Sequence, residues 1–395
     1  MLCLRELLGH GIFAINHGPY SEDKGASWML QRKTAAKVFT NNNFKNLMLK
    51  TFSEHALRTC NEIDQQLNTD GTGIVEMQRL MYKFTLSSIG KIGFGVDIES
   101  LSGGSDDFSN VFDQAQFYSS QRFISPFWNV PILGKLLYKG ERELPKNIDM
   151  LNSYIYKIIT LRKQEVKQGT GDTGDILTLF LQEKLNLTDS ELRDVVFSFL
   201  IAGRDTTACT LSFAIMLLAQ NPDWQEKLRK EIRQVLGSRE DRALNSNEIS
   251  QMKLLQNIVM ETLRLYPPVP VDIKEAAVDD RLPQGQLIPK GSRMTYEPYV
   301  MGRLEKFWGE ESEKFNPDRW LKMKTLPSPY EFPQFQAGPR ICLGETLAKF
   351  EAALFLGVLV DRYKLSCEDL NQVFTYQPGV TLSIKGGLHL RVTKL

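Results

Sequence analysis

Cys342 stands in Phe335-Gln336-Ala337-Gly338-Pro339-Arg340-Ile341-Cys342-Leu343-Gly344, a glycine-punctuated loop followed by a helical pattern from Glu345 to Tyr363. Such a loop delivers one sulfur to a helix N-terminus, where unpaired backbone N–H groups and the helix dipole favour a thiolate. The thiolate is the form of cysteine that attacks electrophiles and binds metals. Gly338 and Gly344 let the backbone come close to a flat ligand, and Arg340 offers a planar cation suited to a carboxylate. A single cysteine at a loop–helix junction is more often buried and inert. The pattern F-x-x-G-x-R-x-C-x-G shifts that balance, because five fixed residues coincide in a chain of this length on the order of once in ten thousand sequences.

Three further groupings carry reactive or charged side chains at helical spacing. Glu261 and Arg264 share one face of an amphipathic helix, and alone they read as a surface ion pair of little worth. Ala202-Gly203-Arg204-Asp205-Thr206-Thr207 puts charge and hydroxyls into the middle of a long apolar helix. That is costly unless the groups are satisfied or used; the plain reading is a threonine bonded to its own preceding turn. Trp28 and Arg32 present an indole N–H and a guanidinium on one face, both able to hold a carboxylate. Taken alone they are a packing pair.

The cysteine loop resembles the haem-binding loop of cytochromes P-450, and the other groupings follow in that family's order over essentially the whole chain from Leu7 onward. The resemblance implies a mainly α fold with small β-sheets, forming one haem-binding domain over 1–395. It implies haem b, with Cys342 as the iron ligand and Trp28, Arg32, Arg340 and Lys274 toward the propionates. Lys274 stands ten residues after Arg264, where the family commonly uses Arg or His; lysine keeps the charge and loses the planar fork. Asp205 and Thr206 would be an acid–alcohol pair beside the oxygen site, Thr206 bonding dioxygen and Asp205 relaying protons, with Gly203 leaving room. Glu261 and Arg264 would be buried with Arg319 of Phe315-Asn316-Pro317-Asp318-Arg319-Trp320, a network that fixes the core behind the haem.

Gly338-Pro339-Arg340 and Ala202–Thr207 look most like the branch of plant-type fatty-acid ω-hydroxylases, as do Leu7–Phe13 and Ser88–Gly95. His10 stands where that branch usually has an acidic residue. The implied reaction is a monooxygenation: O2 and a lipophilic substrate meet in an apolar pocket, with Val269, Val271 and Val380 as candidate walls, and a separate NADPH-dependent flavoprotein reductase supplies electrons. Arg32, Lys33 and Lys37 would form its basic docking patch, though a solvated helix face explains the lysines nearly as well. Two other readings compete. A peroxide-rearranging member would lack the acid–alcohol pair, which is present here. A non-catalytic fragment is the reading that follows from the family's anchor, first helices and most early strands lying before Trp28; the implied location is the cytosolic face of the endoplasmic reticulum membrane.

The elements that must position these residues read mostly as helix. Trp28 to Phe39, Phe44 to Gln66 and Met77 to Phe94 keep helical spacing, whereas 101–146 hold Gly, Ser, Asp and Pro clusters and read as irregular connections. Gly169 to Gly174 reads as a polar loop. Thr188-Asp189-Ser190-Glu191 is a capping-box start for a helix running to Asn221-Pro222, apolar all round in its middle and therefore buried. Asn221 and Pro222 open an amphipathic helix to Leu236. Strand signals come late, at Gln286–Met294 and Leu382–Thr393. Composition excludes other classes. At 42% apolar and 24% charged the chain is globular. A net charge of +1 gives no reason for nucleic acid. Four histidines and five scattered cysteines leave no zinc pattern and suit a reducing compartment. No run reaches the roughly 18 continuous apolar residues that span a bilayer, and Met1–Glu6 is no signal peptide.

Overall fold

The computed structural model describes residues 2–13, 26–40, 42–98, 107–169, 174–183, 187–237, 244–369, 372–377 and 379–395. The longer helices are α1 (Ala26–Thr40), α2 (Asn42–Asp64), α3 (Met77–Phe94), α4 (Asp107–Gln121), α5 (Gly140–Lys167), α6 (Asp189–Gln220), α7 (Pro222–Leu236), α8 (Lys253–Leu265) and α9 (Glu345–Arg362). The strands are β1 (Thr72–Glu76), β2 (Asp272–Glu275), β3 (Asp280–Arg281), β4 (Leu287–Ile288), β5 (Arg293–Tyr296), β6 (Tyr363–Ser366), β7 (Tyr376–Gln377), β8 (Ser383–Ile384) and β9 (His389–Lys394). This is the mainly α architecture with small antiparallel sheets expected from the sequence.

α6 is the axis. Its start is the capping box: Thr188 Oγ1 accepts from the Glu191 N–H at 3.3 Å, and Glu191 Oε2 accepts from the Thr188 N–H at 2.8 Å. By length and composition it could cross a membrane, but 83% of its most apolar stretch is buried inside the protein. α3 lies along it, and α5, α8 and α9 also pack on it. The close seam with α3 depends on Gly203, where a Cβ would come within 2.7 Å of the Ile89 side chain. Pro222 opens α7 at its first turn as expected, while the Asn221 side chain turns back to Leu217 O at 2.8 Å instead of capping.

Two expectations are corrected. Residues 107–121 and 140–146 are helical, not irregular. Phe108, Val111, Phe112 and Ala115 recur at helical spacing and are buried, a stripe overshadowed by the polar residues just before it. Strands also do not wait for the last third: β1 pairs antiparallel with β9, Thr72 facing Thr393 and Glu76 facing His389. Its five residues place Val75 in the core and leave Ile74 outside, too short an alternation to stand out. β9 pairs on its other side with β6, giving the order β1-β9-β6. β2 and β5 form a separate two-stranded antiparallel sheet, Asp272 opposite Tyr296. Of the Gly169–Gly174 loop, residues 170–173 lie outside the described residues.

Candidate active site

The cysteine loop is closed by one backbone bond, Cys342 N–H to Phe335 O at 2.8 Å, and it leads into α9, which Gly344 precedes. The Gly344 N–H points at Cys342 Sγ from 3.3 Å, as the helix-terminus argument requires. Yet the thiol lies above its ordinary range: dense surrounding protein pushes it up, and the Gly344 N–H and the Arg32 charge do not reverse that. Cys342 is nevertheless an exposed residue. A thiol of this kind becomes a stable thiolate when a cation binds it. Gly338 has φ +69, and a Cβ there would make only ordinary contact, 3.9 Å from the Tyr330 hydroxyl, so its glycine serves the turn; a Cβ on Gly344 would likewise make only ordinary contact, 3.8 Å from Cys342 Sγ.

Beside the sulfur, α1 and the loop bring two guanidiniums onto one indole. Arg340 Cζ lies 4.1 Å and Arg32 Cζ 5.7 Å from the Trp28 ring centroid. Arg32 Nη2 donates to Ile341 O at 2.7 Å, tying α1 to the loop, and Arg340 Nη1 donates to Ile12 O at 3.4 Å. Burial first, then the neighbouring Arg32 charge, lowers the proton affinity of Arg340. Among the described residues no carboxylate comes within ion-pair distance of Arg32. A soft sulfur donor next to two clustered guanidiniums fits a haem, whose iron takes a thiolate and whose propionates are carboxylates of the kind a guanidinium fork binds.

Lys274 is placed differently from expectation. It lies on β2, and its Nζ pairs with Asp272 Oδ2 at 2.8 Å, the oxygen that also accepts from Tyr296 Oη and Gln336 Nε2, each at 2.7 Å. Burial raises Asp272, but these donors outweigh it and hold the carboxyl below its usual range. The cluster clamps Gln336, in the cysteine loop at φ 65 and ψ 175, a region almost reserved for glycine.

Thr206 Oγ1 donates to Ala202 O at 2.6 Å, the bond to the preceding turn. Asp205 turns toward Arg204, whose Nη1 lies 2.8 Å from its Oδ1. Burial pushes the Asp205 carboxyl up to about 6 against the pull of Arg204. The room expected at Gly203 is occupied on its Cβ side by Ile89, so the glycine serves helix packing. Val380 lines a recess with Arg204 and Asp205; Val271 is half-exposed on the approach to β2 and Val269 partly buried before it. Lys37 pairs with Glu183 at 2.5 Å, and Lys33 is exposed.

Glu261 and Arg264 are fully buried and bidentate, at 2.9 and 2.7 Å. Arg319 Nε joins Glu261 at 3.4 Å, with the Asn316 N–H and Trp320 Nε1 at 3.0 Å each. The three-membered network thus assembles as the resemblance implied. Sequence reasoning passed over Asp113, the second carboxylate on Arg204, and a buried pair in which His55 Nδ1 lies 3.2 Å from Ser88 Oγ. An arginine inside an apolar helix was the available signal for the first; no local pattern marks the second.

The family model described as cytochrome P-450 matches residues 12–390. Cytochrome P-450 704B1 of Arabidopsis thaliana is 33% identical over 98% of this chain and 80% of its own length. Cytochrome P-450 704C1 of Pinus taeda is 33% identical over 99% and 79%, and cytochrome P-450 94C1 of Arabidopsis thaliana 31% over 98% and 78%. The thiol loop, the paired guanidiniums and the buried Glu261 network all lie within the matched residues, and the chain belongs to the cytochrome P-450 family and is one of its monooxygenases.

Proposed function

We propose that this enzyme hydroxylates fatty acids, using haem b and electrons from NADPH delivered by a separate flavoprotein reductase. The observation that carries the haem assignment is the pair Arg32 and Arg340 stacked around Trp28 next to Cys342. Cys342 would hold the iron, and Trp28, Arg32 and Arg340 the propionates; Lys274 would reach one only by leaving Asp272. When bound, haem supplies the activation of O2 and the insertion of one oxygen atom into a C–H bond, the other leaving as water. The chain's part is positioning and proton handling. Asp205, its proton affinity raised close to neutral, takes up a proton and hands it toward Thr206 Oγ1, which leaves its bond to Ala202 O to pass it on. Proton transfer of this kind works best from a group whose affinity lies near the working pH.

The fatty-acid substrate is supported by the likeness of the cysteine loop and of Ala202–Thr207 to the plant ω-hydroxylase branch. Membrane association is supported by a strip after α4: Phe123, Ile124, Ile132, Leu136 and Leu137 are between 53% and 84% exposed. Such an apolar run on a surface marks a contact with lipid or another apolar partner, and the endoplasmic reticulum membrane is the proposed site.

Two measurements test the reading. Purified protein reduced under carbon monoxide should give the thiolate-type Soret band, lost in Cys342→Ser; an unchanged band in that variant refutes the haem ligand. Incubation with free fatty acids of varied length, NADPH and a reductase should yield a hydroxylated product. No product at any length rejects the substrate class while leaving the haem assignment standing.

A further inference from the structure

Arg204 is fully buried in the middle of α6 and meets two carboxylates at once. Its Nη1 lies 2.6 Å from Asp113 Oδ1 of α4 and 2.8 Å from Asp205 Oδ1, while Nη2 donates to Ser109 Oγ at 3.0 Å. The rings of Tyr82 and Phe112 close over it, 4.7 and 5.2 Å from Cζ to centroid. The carboxylates differ in access: the Asp205 side chain is 3% exposed and that of Asp113 52%. Asp113 also stands in the walls of two recesses of about 300 and 340 Å³ that share Gln78, Tyr82 and Asp113. Arg204 and Asp205 line the first. Solvent in these recesses therefore reaches the ion-pair cluster from the α4 side.

A guanidinium does not give up its proton in a protein, so Arg204 is no relay. What it does is divide one positive charge between two acids. Held by Asp113, it leaves Asp205 less completely neutralised and readier to take a proton. Turned wholly to Asp205, it would hold that carboxyl ionised. The other groups facing Asp205 are Tyr82 of α3, Gln116 of α4 and Cys209 of α6. From the 377–387 segment the first recess takes Gln377, Thr381 and Ser383, none charged.

We propose that Asp113 is a positioning residue for proton delivery, holding Arg204 from the wet side so that Asp205 accepts a proton from recess water and passes it toward Thr206. The inference rests on the reading of Asp205 and Thr206 given above. In each cycle a proton carried as hydronium by recess water adds to the Asp205 carboxylate, leaving neutral water. The acid then returns to carboxylate as its proton goes to Thr206 Oγ1 and the hydroxyl's own proton moves on to the oxygen atom that leaves as water in the proposed reaction, so one O–H bond forms for each one broken.

The test uses the full chain as wild type, Asp113→Asn, Asp113→Glu and Asp205→Asn. Carboxyl infrared difference spectra against pH, assigned by the band missing in Asp205→Asn, give the Asp205 midpoint with or without haem. Asp113→Asn should lower that midpoint by about one unit, a tenfold loss of proton affinity. In turnover it should divert electrons from product and enlarge the solvent isotope effect, with the carbon monoxide spectrum unchanged. Asp113→Glu should restore both. An unmoved midpoint in Asp113→Asn overturns the proposal even where Asp205→Asn impairs coupling. Equal defects in the Asn and Glu variants also overturn it, since charge is then not the cause. If Asp205→Asn leaves coupling intact, the underlying reading of Asp205 fails as well.

Discussion

Glu261 illustrates how one buried charge is made tolerable: Arg264, Arg319, Trp320 and the Asn316 backbone all donate to it. Removing one partner from such a set leaves the rest uncompensated. Glu261→Ala should therefore cost about 3–5 kcal/mol, read as a lowered midpoint in chemical denaturation; a midpoint equal to wild type would deny the network its structural role. His55 behaves in the opposite way, as a buried neutral ring whose affinity burial depresses from 6.5 to about 4, with help from Arg58 and Lys91. Because the folded value is the lower one, its stability is fully present above pH 6.5 and is lost as pH falls toward 4. At pH 5 the loss should reach ~1–2 kcal/mol. Asp205 works in the reverse sense, its penalty present above about pH 6 and relieved by acid. The check is thus a difference, wild type against His55→Gln unfolded in urea at pH 7 and 5, in which Asp205 cancels; equal slopes for the two proteins would contradict the prediction. Which residues were legible follows from reach. Glu261 with Arg264, and Trp28 with Arg32, announce themselves because partners lie within one turn. Asp113 with Arg204, and Asp272 with Gln336, pair across the chain, and no local spacing encodes them.

Among the elements, α6 carries the site and depends on its seam with α3. Gly203→Ala would press a methyl group into Ile89 at 2.7 Å, and overpacking of this kind costs about 1–3 kcal/mol. A lower melting temperature is expected, partly recovered by adding Ile89→Val; no change in the single variant would mean the seam is loose. α6 was readable because its start is a reciprocal cap, its end is marked by Asn221-Pro222 and its middle is apolar on every side. α4 was not, since its apolar stripe follows a polar stretch that suggests a loop, and β1 is shorter than the alternation needed to recognise a strand. The β2–β5 sheet acts on the site through Asp272, which grips Gln336 in a backbone conformation suited to glycine. Asp272→Ala should weaken haem retention, measured as faster transfer of haem to an excess of apomyoglobin. Gln336→Gly in the same chain should restore it, because glycine needs no grip to adopt that conformation; failure of the second change to help would show that Asp272 acts by another route.

At the scale of the molecule, the sheet β1-β9-β6 joins residues 72–76 to residues 389–394, with β9 in the middle. Tyr363 adds to the join, its hydroxyl bonding to Cys60 O and Asp64 Oδ1 of α2 at 2.9 Å. Contacts so distant along the polypeptide make folding slow, since a long loop must close before they reward it. During synthesis β1 leaves the ribosome some three hundred residues ahead of its partner. Until then its edge and the outward Ile74 are open to stray pairing, so this enzyme's yield in a cell should depend on chaperones that occupy β1 while the rest of the message is read.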